Sequence, residues 1–480
     1  MKASHPQLAE LKPGLSVPTD AALIRRLTCF DPLTGLPNRL LFHEQVGLVL
    51  RLAARNGKST AVMLADIDDF RRIKNSLGHR NSDLFIKTIA LRIRDCLRGS
   101  DVLAHASVDH SQTVARVSAN EFAIVLSGLN EPHDAQRVAK RLRDVVAQAV
   151  STGDSEIFPT LSIGAALYPG DGEDADTLIE HADIALGQAK DKGKDRVQFY
   201  NPAMDTLAAA RLTLESNLRR AVEEQEFFAE FQPRVDCRTG RLCNTEALVR
   251  WRDSRRGVIL PADFIGVAEQ SRLIVPIGEF MLDTACRQNM LWQGLGLPPV
   301  SVSVNVSAAQ VARPDFVSTV ARSLERSGMQ AKLLELEITE SLLVNDAEGA
   351  LRTFLAIKAL GVRIAIDDFG TGFSSLSYLR DFPFDVLKID RSFVNGLPHE
   401  ARTASVIRAI VDLSRRLDID VVAEGVETDE QSEFLDASGC HLMQGFKFCK
   451  PVAADALADY WRDSLTRDDV GRGDGTTAVK

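Results

Sequence analysis

Between residues 301 and 448, six short apolar runs recur, with stretches of helical periodicity between several of them. They read SVSVNVS, LLELEIT, VRIAIDDF, DVLKID, DVVAEGV and LMQGFKF. One of the intervening stretches, ARTASVIRAIVDLSRRL, carries apolar residues at three- and four-residue spacing. Strand–helix repetition over about 240 residues predicts an α/β TIM-like barrel. The runs carry, at their C-terminal ends, polar residues that a buried strand ordinarily avoids. These are Asn305, Glu337, Asp367 with Asp368, Lys388, Glu424 and Gln444. Barrel enzymes build their active sites at that end of the strands. A single such residue is easily accidental; six positions in register, mixing carboxylates with an ammonium, point to a site.

The sharpest of the six is VRIAIDDFGTGFSSLSYL. Two adjacent carboxylates at the end of a buried strand repel each other and lose solvation. They are tolerable if a cation or a proton sits between them. Gly370 and Gly372 follow, which predicts a metal site with a mobile lid.

The remaining numbers exclude several classes. A chain of 480 residues predicts two domains. Its net charge of −9 argues against binding nucleic acid or a membrane surface by bulk charge. Seven scattered cysteines without zinc spacing fit a reducing compartment. No apolar run reaches the roughly 20 residues needed to span a bilayer, and the first residues lack a signal-peptide core. The expectation is a cytoplasmic protein with no membrane span.

The pattern changes near residue 200. Before it, AVMLADID, ARVSANEFAIVL and two helical stretches, DLFIKTIALRIRDCL and ADIALGQAKDKG, predict an α+β domain. Residues 203–226 have helical periodicity and no internal glycine or proline. The expected order is an N-terminal segment (1–24), an α+β domain (25–200), a connecting helix (201–226), a barrel (227–465) and a disordered tail (466–480).

Glu246-Ala247-Leu248-Val249-Arg250 resembles the signature of EAL domains, the cyclic di-GMP phosphodiesterases. The resemblance continues through Ser303 to Ser307, Glu337 to Glu340, Asp367 to Gly370, Lys388 to Asp390, Glu424 to Glu427 and Gln444-Gly445. Several motifs in the right order make it specific. It implies two Mg2+ or Mn2+ ions per site, hard cations that take oxygen ligands. By resemblance, Glu246, Asn305, Glu337 and Asp367 hold metal, with Asp368 on the second ion. Lys388 and Glu424 position the attacking water, so Lys388, Glu424 and Glu246 carry catalysis. Gln232, Leu248, Arg250 and Gln444 meet substrate. Glu340 anchors the loop after Asp367, and the product is linear pGpG. Two departures stand out: Arg272 where the family usually has glycine, and Phe446 for tyrosine.

Residues 25–200 resemble a GGDEF domain, the diguanylate cyclase fold, with a central mostly antiparallel sheet flanked by helices. The segments are Asp31 to Arg39, Asp66-Ile67-Asp68 with Gly78-His79, Ser162-Ile163-Gly164 and the stretch ending at Val197. The signature itself is broken: Ser118-Ala119-Asn120-Glu121-Phe122. A Cβ replaces the hydrogens that let backbone approach nucleotide. Asn120 is a poorer Mg2+ ligand than the carboxylate it replaces. Lys74 stands for a guanine-reading asparagine, and Ser82 for a glycine. Asp66, Arg71, Asp83, Lys190 and Lys194 remain as a residual nucleotide site. Arg98-Gly99-Ser100-Asp101 spells the product-inhibition motif but lies too far from Ser118.

The expectation is metal-dependent hydrolysis of cyclic di-GMP, with a catalytically dead cyclase-like domain in a regulatory or dimerising role. Whether that domain takes GTP as an allosteric ligand is left open. A homodimer and a signalling partner protein are family-level expectations. The alternative is a receptor that binds cyclic di-GMP without cleaving it; loss of a metal or water-positioning residue would favour it, and none is lost.

Overall fold

The computed structural model describes residues 28–98, 114–129, 131–152, 155–340, 342–343, 347–370 and 376–470. The segment before residue 28, the RxxD motif beyond Arg98, Gly372 and the residues after 470 lie outside them. The chain forms two compact units, Met1–Ala210 and Arg211–Lys480. The boundary falls within a helix, Ala203–Glu223, slightly shorter than the expected connecting segment.

The first unit is built on five strands: β1 (Ser59–Ile67), β2 (Val114–Arg116), β3 (Glu121–Leu129), β4 (Leu161–Tyr168) and β5 (Val197–Phe199), in the order β2-β3-β1-β4-β5. The pairings are antiparallel except β4 with β5. Period-two alternation decides what covers the sheet. Val62 and Leu64 pack with Phe42 and Val46 of the helix Arg39–Asn56 and with Leu178 and Leu186 of the helix Ala175–Asp191. Ala61, Met63 and Ala65 face the opposite way, onto Phe85 and Ile89 of the helix Phe70–Arg98 and Val138 and Leu142 of Pro132–Val146. Gly164 lets a helix sit close on β4: a Cβ there would lie 2.1 Å from the Ala182 carbonyl oxygen.

In the second unit, among the described residues, eight strands close a barrel. They are β6 (Phe227–Asp236), β7 (Leu242–Asp253), β8 (Ser301–Val306), β9 (Leu334–Thr339), β10 (Arg363–Phe369), β11 (Val386–Ile389), β12 (Asp420–Ala423) and β13 (Leu442–Met443). From β7 to β13 neighbours run parallel. β6 runs antiparallel to both β7 and β13. The direction of β6 sets this TIM-like barrel apart from an all-parallel ring, and the cause is the connection. Only Cys237 to Arg241 join β6 to β7, with Gly240 at φ 69°. A parallel crossover needs a dozen residues or more, so the two strands must form a hairpin. The last strand is also shorter than LMQGFKF suggested, and the final helix, Ala454–Val470, runs into the expected tail. No helix among the described residues is long and apolar enough to cross a membrane.

The barrel interior is layered. Ala365, Val386 and Val422, with Leu442 against them, form an apolar patch. Two residues further along each of these chains stand Asp367, Lys388, Glu424 and Gln444. The strand period therefore delivers all four to the same end of the ring.

Candidate active site

The ammonium of Lys388 is the hub of this end. Its side chain is 1% exposed and meets four carboxylates. Glu424 Oε1 lies 2.6 Å from Nζ, Asp367 Oδ1 3.3 Å, Glu246 Oε2 3.8 Å, and Glu337 Oε2 is in direct contact. These acids come from β7, β9, β10 and the residue after β12. Glu246 is oriented from both sides: Asn305 Nδ2 donates to Oε1 at 2.6 Å and Gln444 Nε2 to Oε2 at 2.6 Å. Gln444 also donates to Gln232 Oε1 at 3.1 Å, and Gln232 donates to the Cys449 carbonyl at 3.0 Å. The cleft above measures about 290 Å3 and is walled by Leu248, Asp368, Asp390, Glu427 and Phe446 as well as the hub residues.

Electrostatics split the acids. Burial pushes Glu246 up, but Lys388 and the amides of Gln444 and Asn305 outweigh it and hold the carboxyl below its usual range. Burial and the neighbouring Glu246 push Glu337 well above that range, against the pull of Lys388. Burial raises Glu424 to about 8, with Asp367 and Glu246 adding to it. Burial and Asp367 raise Asp368. Lys388 itself is desolvated, yet Asp367, Glu246, Glu337 and Glu424 keep it firmly charged. Such an excess of acid is tolerable only with protons or cations in place.

The residues around the hub occupy distinct positions. Asp368 sits at φ 54°, in the left-handed region, where its N–H donates to Asp367 Oδ1 at 2.9 Å. The turn takes the second aspartate out of the strand's alternation, and both aspartates line the same cleft. Glu340 receives the Gly370 N–H at 3.3 Å, and its own N–H donates to the Asp367 carbonyl at 3.3 Å. Arg250 is engaged within the fold: Nε donates to Glu230 at 2.7 Å and Nη1 to the Val249 carbonyl at 2.8 Å.

Sequence reasoning missed the support beneath the site. Arg234, 2% exposed, bridges Glu335 at 2.8 Å and Glu337 at 2.9 Å. Ser303 and Asn244 complete the cluster through Glu335. The signal was present in the period of two: Gln232 and Arg234 share one face of β6, as Glu335 and Glu337 share one face of β9.

The first unit holds a different arrangement. Asn120 Nδ2 donates to Asp66 Oδ2 at 2.9 Å, and Lys190 Nζ stands 3.1 Å from the same oxygen. Burial raises Asp66, opposed by Lys190. Burial and Asp183 raise Glu121. Asp68 is occupied structurally, accepting from Thr160 at 2.8 Å and Ser162 at 2.7 Å. Lys194 pairs with Asp69 at 2.6 Å. Arg71 and Asp83 are exposed on the helix Phe70–Arg98, which Gly78 interrupts. Ser118 and Ala119 sit in the turn between β2 and β3, and Phe122 is fully buried.

A closed barrel with an acid–lysine hub at its mouth, preceded by a cyclase-like sheet unit, defines a class of two-domain signalling proteins. Residues 28–196 match the family "Diguanylate cyclase, GGDEF domain" and residues 215–451 the family "EAL domain". The chain belongs to the tandem GGDEF–EAL proteins. It is 39% identical over 432 residues to the bifunctional diguanylate cyclase/cyclic di-GMP phosphodiesterase MucR of Pseudomonas aeruginosa, covering 90% of this chain and 61% of that one. It is 37% identical to the cyclic di-GMP phosphodiesterase NbdA of the same organism, covering 92% and 55%. The chain thus spans little more than half the length of these relatives. A solved structure of the MucR phosphodiesterase in complex with cyclic di-GMP is 43% identical, covers 51% of this chain and 99% of that one, and superposes with a TM-score of 0.50.

Proposed function

We propose that the barrel hydrolyses cyclic di-GMP to linear pGpG with two Mg2+ or Mn2+ ions. The observation that carries this reading is the ring of carboxylates around Lys388 at the barrel mouth. Among the described residues, Glu246, Glu337, Asp367 and Glu424 surround the buried Lys388, Arg234 meets Glu337 from beneath, and Asp368 lines the same cleft. That surplus of hard oxygen donors fits divalent cations of the Mg2+ class. Glu246, Asn305, Glu337, Asp367 and Asp368 would hold them. When bound, the ions neutralise the phosphodiester and activate water.

The protein's own groups supply the rest. Glu424 and Lys388 touch each other at the floor of the cleft and place the attacking water. Lys388 offsets negative charge that builds on the phosphate oxygens. The water oxygen bonds to phosphorus, one ribose oxygen leaves and takes up a proton, and the ring opens to pGpG. Gln232 and Gln444 fix the orientation of Glu246. Leu248 and Arg250 lie along the substrate path, with Arg250 re-pairing from Glu230 to a phosphate. Glu340 holds the start of the loop after Asp367.

We further propose that the first unit makes no cyclic di-GMP. Asn120 and Lys190 hold the carboxylate of Asp66 in internal contacts. This unit acts in regulation or self-association, with GTP as its candidate allosteric ligand. Incubating purified protein with cyclic di-GMP and Mg2+ or Mn2+, with and without GTP, tests the hydrolysis and the role of GTP. Release of pGpG supports the reading, and absence of turnover in every condition refutes it.

A further inference from the structure

At the other end of the barrel, away from the hub, three ligand-type side chains converge from separate elements. Cys237 directly follows β6, His441 directly precedes β13, and Asp436 lies on the helix Asp429–Ala437. Their donor atoms lie within 4.8 Å of one another. The Cys237 thiol donates to Asp436 Oδ1 at 3.6 Å, and His441 Nδ1 stands 2.6 Å from the same oxygen. The backbone fixes two of the three directly, since the Cys237 N–H donates to the His441 carbonyl at 2.9 Å.

We propose that Cys237, Asp436 and His441 form a site for a thiophilic divalent cation of the zinc or cobalt class. Metal–sulfur bonds of about 2.3 Å and metal–nitrogen or –oxygen bonds of about 2.0 Å put tetrahedral ligand atoms roughly 3.3–3.8 Å apart. The trio needs only small side-chain rotations to reach that spacing. One thiolate, one imidazole and one carboxylate form a borderline-soft set, unlike the all-oxygen donors at the mouth, so the two sites select different metals. All three residues are partly exposed, and His441 also lines a cleft of about 370 Å3 that offers an entry path and room for a fourth ligand. The charge balance is simple. The thiol gives up its proton to solvent as the sulfur–metal bond forms, and the imidazole proton moves to Nε2, so one proton is released per ion.

The position gives the site a purpose. β6 and β13 are paired only through Asp236 with Leu442 and Val235 with Met443. This is the seam that closes the ring, and it joins residues about 200 apart in sequence. A cation held by Cys237 and His441 would staple first strand to last. Because it binds the folded chain, it raises stability with the logarithm of the free metal concentration above its dissociation constant.

Cobalt(II) titration of the reduced, metal-stripped 480-residue chain tests this, with Mg2+ in excess to fill the mouth. The expected result is a thiolate-to-cobalt charge-transfer band saturating at one equivalent, with one proton released, and zinc displacing it. Cobalt at the mouth has no sulfur ligand and cannot give this band. Cys237→Ser should abolish the band, Asp436→Asn and His441→Ala should each weaken binding at least about 100-fold, and Cys449→Ser should leave it intact. No thiolate band in the wild-type protein, or a band that survives Cys237→Ser, would overturn the proposal. The wild-type titration decides even if a variant fails to fold.

Discussion

A lysine desolvated among four carboxylates stays charged only because those carboxylates surround it, and they stay acceptable only because it is there. Two predictions follow at this scale. Glu246→Gln keeps the shape of the side chain but removes a charge and a proposed metal ligand. Turnover should fall at least about 100-fold, while the thermal transition stays cooperative; initial-rate measurement of pGpG release checks it. The second concerns pH. Glu424 is raised to about 8 in the folded protein, so between its ordinary value near 4.5 and 8 the folded state binds the extra proton. Glu337 and Asp368 are raised in the same direction. Stability of the metal-free protein should therefore fall as pH rises through this window. Mn2+ replaces those protons and should flatten the slope. Melting temperatures from pH 5 to 8, with chelator or with Mn2+, decide it; a metal-free stability that rises with pH would contradict it. Asp367, Lys388 and Glu424 could be named from sequence because each ends an apolar run. Arg234 was missed: its alternation with Gln232 was visible, but its partners Glu335 and Glu337 meet it only once the barrel closes.

At the scale of elements, β6 and β9 form the floor of the site through Arg234. Arg234→Met leaves Glu335 and Glu337 buried without their shared counter-charge. Loss of one partner of such a cluster costs about 3–5 kcal/mol, measurable as a lower urea midpoint. A second element carries a small strain. The helix Pro261–Gln270 ends with Arg272 at φ 62°, the left-handed position after the cap, where its N–H donates to the Glu269 carbonyl at 3.2 Å. This is the residue at which the resemblance leads one to expect glycine. Arg272→Gly relieves roughly 1 kcal/mol of backbone strain and returns part of it as chain entropy. A melting temperature unchanged or slightly raised is expected, whereas Arg272→Val should lower it. The element order was legible in the alternation of patterns. The reversed direction of β6 was not read, because it depends on the length of one connection rather than on any apolar run. The two-residue β13 was likewise overextended, since the aromatic residues after Gln444 look like strand but belong to the cleft wall and the turn beyond it.

For the whole molecule, the contrast between the units is chemical. The barrel gathers more carboxylates than it can neutralise internally, whereas in the cyclase-like unit Asp66 of β1 is turned onto Asn120 and Lys190. Incubation with GTP and Mg2+ should yield no cyclic di-GMP, as read by chromatography of the products. The substitution at Asn120 was legible in the sequence; the pairing of Lys190 with Asp66 was not, because the helix that carries Lys190 is distant in sequence. The central claim concerns the barrel, and one measurement tests it most directly: turnover of cyclic di-GMP by the purified chain with Mn2+, beside Glu246→Gln. The account predicts pGpG from the first and a rate at least about 100-fold lower from the second. No pGpG from the wild-type chain, or equal rates from both, would contradict it.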